Sequence, residues 1–160
     1  MPKPTAPTRM SAAEMLKLDH QLCFALYSSS LAMTRLYKPL LEPLGLTYPQ
    51  YLAMLVLWEG DGIAVSELGQ RLQLDSGTLT PLLKRLEASG LVGRQRDKAD
   101  ERRVLLHLTP AGRALKARAA KVPAQVACAA DCNLEDVGAL TRRLKLLRDQ
   151  IQSSPLPHAT

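Results

Sequence analysis

Apolar positions recur every three or four residues through most of this chain, and that spacing predicts helices. A long helix is expected from about Ala13 to Tyr37, with Leu16, Cys23, Leu26, Leu31 and Met33 among its apolar positions. Pro39 and Pro43 should end or kink it. Thr47, ahead of Pro49 and Gln50, reads as the N-cap of a second helix whose apolar body runs from Tyr51 to Trp58. Glu59-Gly60-Asp61-Gly62 stops that helix. Ile63-Ala64-Val65 then reads as a very short strand, and Ser66 and Glu67 open a helix to about Leu72. Asp75 or Ser76 caps the next helix, which ends at Ser89-Gly90 through a glycine C-cap.

After Gly90 the pattern changes. Leu91 to Arg96 and Arg103 to Leu108 are strand-like, with a charged connection from Asp97 to Arg102. Thr109-Pro110 caps a long helical region interrupted by Pro123, and a terminal helix runs from about Asn133 to Ile151. Leu140, Leu144, Leu147 and Ile151 form its apolar stripe. The order predicts a mainly α fold with a small β-hairpin wing: a winged helix-turn-helix between long helical arms. The arms carry more apolar surface than so small a lobe can cover, so an intertwined homodimer is expected. The expected organisation is a tail over 1–12, one domain over 13–152 and a second tail over 153–160. Within the domain, 46–109 is the DNA-binding lobe, and 13–45 and 110–152 are the dimerisation arms.

Composition narrows the class. Hydrophobic residues make up 46% of the 160, enough for a core, while aromatics make up only 4%, which favours helices over sheet. No run of about 18 apolar residues exists, so no membrane span is expected. The N-terminal residues lack the apolar core of a signal peptide, so a cytoplasmic location is expected, where thiols stay reduced. The formal net charge of +6 suits a phosphate-binding protein, and its placement says more. From Lys84 to Arg103 there are seven basic residues against four acidic ones.

That charge lies beside a suitable reading element. The first turns of the second helix of a helix-turn-helix reach the floor of the major groove. Here they carry the small polar residues Ser76, Thr78 and Thr80, while Leu79, Leu82, Leu83 and Leu86 should face the core. Lys84 and Arg85, further along, suit phosphates. Arg94, Arg96, Arg102 and Arg103 of the hairpin can flank or enter a minor groove. Asp97 and Asp100 are wrong for phosphate contact and read as partners that hold arginines in position. Double-stranded operator DNA is the expected partner.

Asp97-Lys98-Ala99-Asp100-Glu101-Arg102-Arg103, followed by Leu108-Thr109-Pro110-Ala111-Gly112, resembles the signature of the multiple antibiotic resistance regulator (MarR) family of winged-helix repressors. The likeness extends over residues 15 to 151. Residues 21–27, 37–41, 46–51 and 74–81 resemble the organic hydroperoxide resistance branch more narrowly. The resemblance implies that Cys23 is a peroxide-sensing cysteine. It further implies that Tyr37 and Tyr48 hydrogen-bond the thiolate from the partner subunit, with Tyr27 nearby, and that Ser76, Thr78 and Arg102 touch DNA. Cys128 and Cys132, one helical turn apart, make the chain look like the members with a second, resolving cysteine. Cys128 is favoured for that role and Cys132 is the alternative.

The chemistry follows from the thiolate. It attacks the peroxide oxygen, giving sulfenic acid and an alcohol, and the sulfenic acid condenses with a thiol to a disulfide and water. An apolar pocket around Leu22, Phe24 and Trp58 would favour organic hydroperoxides as effectors. The alternative is a repressor released by a non-covalent phenolic or carboxylate ligand. A thiol peroxidase would need a thioredoxin-like alternation of strands and helices or a Cys-x-x-Cys, and neither is present. A zinc site on Cys128 and Cys132 would need two more ligands, and His20, His107 and His158 form no matching pair. The chain is therefore expected to be no enzyme and to need no metal or cofactor.

Overall fold

A helix that is apolar on every side has to lie inside the molecule. Residues Tyr51, Ala53, Met54, Val56 and Leu57 of α3 (Tyr48–Glu59) are all buried. The computed structural model describes residues 11–131 and 133–155. Around α3 the chain runs α1 (Ala12–Met15), α2 (Leu22–Leu41), α3, β1 (Ile63–Ala64), α4 (Val65–Leu72) and α5 (Ser76–Ala88). It continues as β2 (Val92–Arg96), β3 (Val104–Leu108), α6 (Pro110–Ala119), α7 (Val122–Ala129) and α8 (Leu134–Ser153). The core against α3 is Leu41, Leu68, the four leucines Leu79, Leu82, Leu83 and Leu86, then Leu106, Leu108, Leu115 and Val122. Each such side chain contributes about 1.5–3 kcal/mol on burial.

The three strands form one antiparallel sheet in the order β1-β3-β2. Val92 faces Leu108 and Arg96 faces Val104, so β2 and β3 make a hairpin anchored to the core at one end. β1 adds only Ile63 and Ala64, opposite Leu106 and Leu105. α6 then crosses the start of the hairpin at Gly112, where an added Cβ would lie 2.1 Å from the Leu91 carbonyl oxygen. Glycine is required there by the close approach.

The N-terminal third departs from the expected single helix over 13–37. α1 is one turn, closed by Ser11 and Glu14, which cap each other. A 3-10 turn at Leu18–His20 follows, and α2 begins only at Leu22. Gln21 causes the break: its side-chain amide donates to the Met15 and Lys17 carbonyls, which a continuous helix would have used itself. α2 also runs through Pro39 to Leu41. Proline removes only the bond to the carbonyl of Arg35, an exposed residue whose carbonyl water can satisfy. Chain reversal happens instead at Pro43 and Gly45, whose φ of 68° suits glycine. At the short strand, Val65 is the first residue of α4 and not the last of β1.

Among the described residues, α2 and α8 both leave apolar side chains uncovered in the single chain. Along α2 from Leu22 to Met33, Leu22, Phe24, Leu26, Tyr27, Leu31 and Met33 are 36–61% exposed, on both sides of the helix. On α8, Val137, Leu140, Leu144, Leu146 and Ile151 are 40–63% exposed. Clustered exposed apolar side chains of this kind mark surfaces that associate.

Candidate DNA interface and cysteine site

The turn between α4 and α5 is made by Gln73, in the left-handed region at φ 56°, and by Leu74, whose N–H bonds the Gly69 carbonyl at 2.9 Å. A Cβ on Gly69 would press on Leu74 and Leu79 at 3.2 Å, so the two helices meet closely here. Of the two candidate caps, Asp75 is the one used. Its Oδ1 accepts the Thr78 N–H at 2.9 Å and its Oδ2 accepts the Thr78 hydroxyl at 3.0 Å. These bonds hold the Asp75 carboxyl below the usual carboxylate range. Thr78 therefore donates to its own cap and offers DNA only its remaining acceptor capacity. Ser76, Thr78 and Thr80 are exposed at this end of α5, Lys84 and Arg85 are exposed further along, and the leucines point inward. Pro81 has no N–H to give the Gly77 carbonyl four residues back, so this turn presents one more acceptor than a regular helix would.

Sequence reasoning missed part of this surface. Ser66 and Gln70 of α4 join Gln73, Ser76 and Thr80 along a groove of about 460 Å³ between the two helices. Their spacing of four residues, on the face opposite Leu68, was the available signal.

The hairpin tip is built by its aspartates. Asp97 Oδ1 accepts the Ala99 N–H at 2.9 Å and Asp100 Oδ1 accepts the Arg102 N–H at 3.1 Å. The same carboxylates approach Arg103 at 3.7 Å and Arg102 at 3.5 Å. Arg102 is nevertheless 96% exposed at its side chain, free to reach outward. Arg96 and Lys98 are also exposed. Arg94 is turned the other way: it pairs with Glu87 of α5 at 2.9 Å, bracing the hairpin against the reading helix.

Cys23 and Tyr27 lie one turn apart on the uncovered stretch of α2, and both are exposed. Tyr37 and Tyr48 lie together, their rings 4.8 Å apart, with Tyr51 5.8 Å from Tyr37. Tyr51 was not among the sequence candidates, although it stands three residues after Tyr48. Burial is the main force pushing all three phenols above their ordinary value, and the neighbouring hydroxyls add to it for Tyr37 and Tyr51. The three remain protonated hydrogen-bond donors at neutral pH. Fourteen residues of helix separate Cys23 from Tyr37, roughly 21 Å at the α-helical rise. One chain thus holds Cys23 and the tyrosine cluster apart.

Cys128 is exposed in the last turn of α7, and it and Cys23 are both free thiols. Cys132 lies outside the described residues. Leu22 and Phe24, expected to share an apolar pocket with Trp58, are exposed on α2 and are not in the wall of the cavity beside Trp58. The Trp58 indole donates to the Gly112 carbonyl at 2.9 Å, and its cavity of about 230 Å³ is lined by Tyr51, Leu55, Lys116 and Pro123. A larger cavity of about 510 Å³ lies between α2 and the start of α3, with Thr34, Arg35, Lys38, Thr47 and Tyr48 in its wall. Among the described residues no group of His, Cys, Asp and Glu is arranged to hold a metal ion, and no helix is long and apolar enough to cross a membrane.

A capped reading helix, its supporting helix and an arginine-tipped hairpin define a winged helix-turn-helix DNA-binding protein. Residues 35–119, over half of the chain, match the family model of the SarA/Rot transcriptional regulators. The chain is 48% identical over 136 residues to the organic hydroperoxide resistance transcriptional regulator of Bacillus subtilis, covering 85% of this chain and 92% of that protein. It is 46% identical to the HTH-type transcriptional regulator TtmR of Methylorubrum extorquens, covering 99% of this chain and 83% of that one. Its fold overlays on reduced, DNA-bound AbfR, a Staphylococcus epidermidis protein, with a TM-score of 0.73 at 31% identity, covering 89% of this chain and 100% of AbfR. On the disulfide form of AbfR the TM-score is 0.57 at 32% identity, covering 88% and 93%. The chain belongs to the MarR family of winged-helix transcriptional regulators.

Proposed function

We propose that the chain acts in the cytoplasm as a homodimeric repressor of one operator and releases it when organic hydroperoxide oxidises Cys23. The observation that carries the reading is the division of the cysteine site. Cys23 and Tyr27 stand on an uncovered apolar stretch of α2, and Tyr37, whose ring packs on Tyr48 of α3, lies about 21 Å further along the same helix. Two copies packed antiparallel along α2 would bring the Cys23 of one to the tyrosines of the other, and α8 would cover the rest of the stretch.

Neutral phenols stabilise a thiolate by hydrogen bonding without adding charge. The thiolate attacks the outer oxygen of ROOH, the O–O bond breaks, and the departing alkoxide takes a proton to leave as alcohol. The Cys23 sulfenic acid is then attacked by the Cys128 thiol of the partner subunit, forming the S–S bond and releasing water. Cys132 is the alternative resolver. The disulfide draws the arms into an arrangement in which the two α5 helices no longer fit successive major grooves. A loss of about 10³ in affinity corresponds to roughly 4 kcal/mol of difference between the two states. The two AbfR forms support a redox-dependent shape: the chain resembles the reduced, DNA-bound one more closely. Ser76, Thr78 and Thr80 read bases, Lys84, Arg85 and Arg96 hold phosphates, Arg102 and Arg103 address the minor groove, and Arg94 acts through Glu87.

The test is non-reducing intact mass after one equivalent of cumene hydroperoxide, with operator release measured in parallel. A reductant-sensitive species of twice the chain mass, absent in Cys23→Ser and Cys128→Ser, is expected. A linked dimer that persists in Cys128→Ser moves the resolver to Cys132. A second reading has one observation of its own, because Arg35 and Lys38 in the 510 Å³ cavity suit a small carboxylate. Operator affinity that ignores both peroxide and Cys23→Ser would favour that reading.

A further inference from the structure

Asp61 lies in the loop between α3 and β1, and its carboxylate joins elements that the fold otherwise connects loosely. Oδ1 accepts the N–H of Gly62 at 2.9 Å and of Leu108 at 2.8 Å, and Oδ2 accepts from the Arg113 guanidinium at 2.8 Å. The His107 Nδ1 stands 3.9 Å from Oδ1. The sheet explains why a side chain is used. β1 pairs with β3 only through Ile63 and Ala64, and Gly62 adds one bond to the Leu106 carbonyl. At the end of the hairpin strand, Leu108 then bonds a carboxylate where it lacks a neighbour in β1. Two further bonds lie alongside: the Trp58 indole donates to the Gly112 carbonyl at 2.9 Å, and the Lys116 ammonium donates to the Trp58 carbonyl at 2.8 Å. α3, the hairpin and α6 therefore meet at one point, on the chain's path out of the DNA-reading lobe.

We infer that Asp61, Arg113 and Lys116 are positioning residues that fix the angle of α6 on the reading lobe and so set the distance between the two recognition helices. Arg113 and Lys116 contribute to the basic net charge, yet their charges are satisfied within the chain, by a carboxylate and by a carbonyl. A small rotation at this point is magnified along α5 and the hairpin, which lie beyond it. The inference rests on the dimer described under Proposed function, because only a pair of lobes has a spacing to set.

The experiment uses reduced full-length protein and a duplex that the wild type selects from a random-sequence library. The same duplex is also made with one base pair inserted or removed at its centre. Wild type should prefer the selected spacing by about tenfold, roughly the cost of one mismatched base pair. In Arg113→Gln, Lys116→Gln and Asp61→Asn that preference should fall to within about threefold, with the salt slope unchanged. Arg113 and Lys116 are exposed, so their variants carry the test even if Asp61→Asn folds poorly. An undiminished spacing preference overturns the inference and leaves the dimer intact. So does a slope lowered by about 0.9, which would put Arg113 or Lys116 on a phosphate. A wild type indifferent to spacing overturns the two-lobed dimer itself.

Discussion

Gly112→Ala should destabilise the fold, although it replaces glycine by alanine in the first turn of a helix. In an exposed helix that exchange stabilises by up to about 1 kcal/mol. Here the new Cβ would stand 2.1 Å from the Leu91 carbonyl oxygen, against the roughly 3.0 Å below which such contacts do not occur, and 3.2 Å from Leu108 Cδ2. α6 must therefore retreat by about 0.9 Å. The retreat loads the Thr109 cap on the Gly112 N–H at 3.0 Å and the Trp58–Gly112 bond at 2.9 Å. Overpacking costs about 1–3 kcal/mol and each strained bond about 1 kcal/mol, so the net loss is roughly 2–4 kcal/mol after the helical gain. Gly138→Ala is the control. It lies inside α8, where the nearest atom is the mobile end of Arg142 at 3.6 Å, and it should stabilise by up to about 1 kcal/mol. Urea unfolding followed by circular dichroism, at one fixed protein concentration, measures both. A Gly112→Ala protein as stable as wild type would refute the argument from close approach.

The remaining predictions concern charge and protons. Arg102→Ala should weaken binding broadly and lower the slope of log affinity against log salt by about 0.9, and an unchanged slope would deny Arg102 its place at the minor groove and the phosphates that flank it. Arg94→Ala should change that slope far less, because its guanidinium is engaged by Glu87. Asp75 is held below its ordinary value of 3.8, so the stability it gives α5 is present above that value and lost as pH falls through the lower folded one. The Thr78 amide resonance should report that midpoint, and a midpoint at or above 3.8 would contradict the double cap. The phenols Tyr37, Tyr48 and Tyr51 are raised above 10.0, so the stability linked to them is present below that pH and lost as pH rises through their folded values. Ultraviolet titration should show late ionisations, and Tyr37→Phe should remove one of them; an unaltered curve would break up the cluster.

The lobe from Thr47 to Gly112 was legible because its signals agree with one another. Caps at Thr47, Asp75 and Thr109 precede apolar runs, and the leucines of α5 keep their period through to Leu86. The N-terminal break was hidden because Leu16, Cys23 and Leu26 fit one continuous helix. What interrupts it is a side-chain amide, Gln21, competing for carbonyls, and periodicity does not register that. Pro39 misled in the opposite direction, since a proline near a helix end on an exposed face costs only one bond. The candidate site was legible as a set of residue types, while its directions were not. Nothing in the sequence turns Arg94 back toward Glu87 or adds Tyr51 to the aromatic cluster, since both depend on how α3, α5 and β2 are packed.

The Asp75 cap also decides what the start of α5 offers to anything that docks against it. It fixes an anion at the edge of a cationic surface, beside the exposed Ser76, Thr78 and Thr80. Each of its oxygens already takes one hydrogen bond from Thr78, and a carboxylate oxygen can accept another. A partner that brings a donor to this point is therefore favoured, and one that brings an anion or a bare apolar edge is opposed.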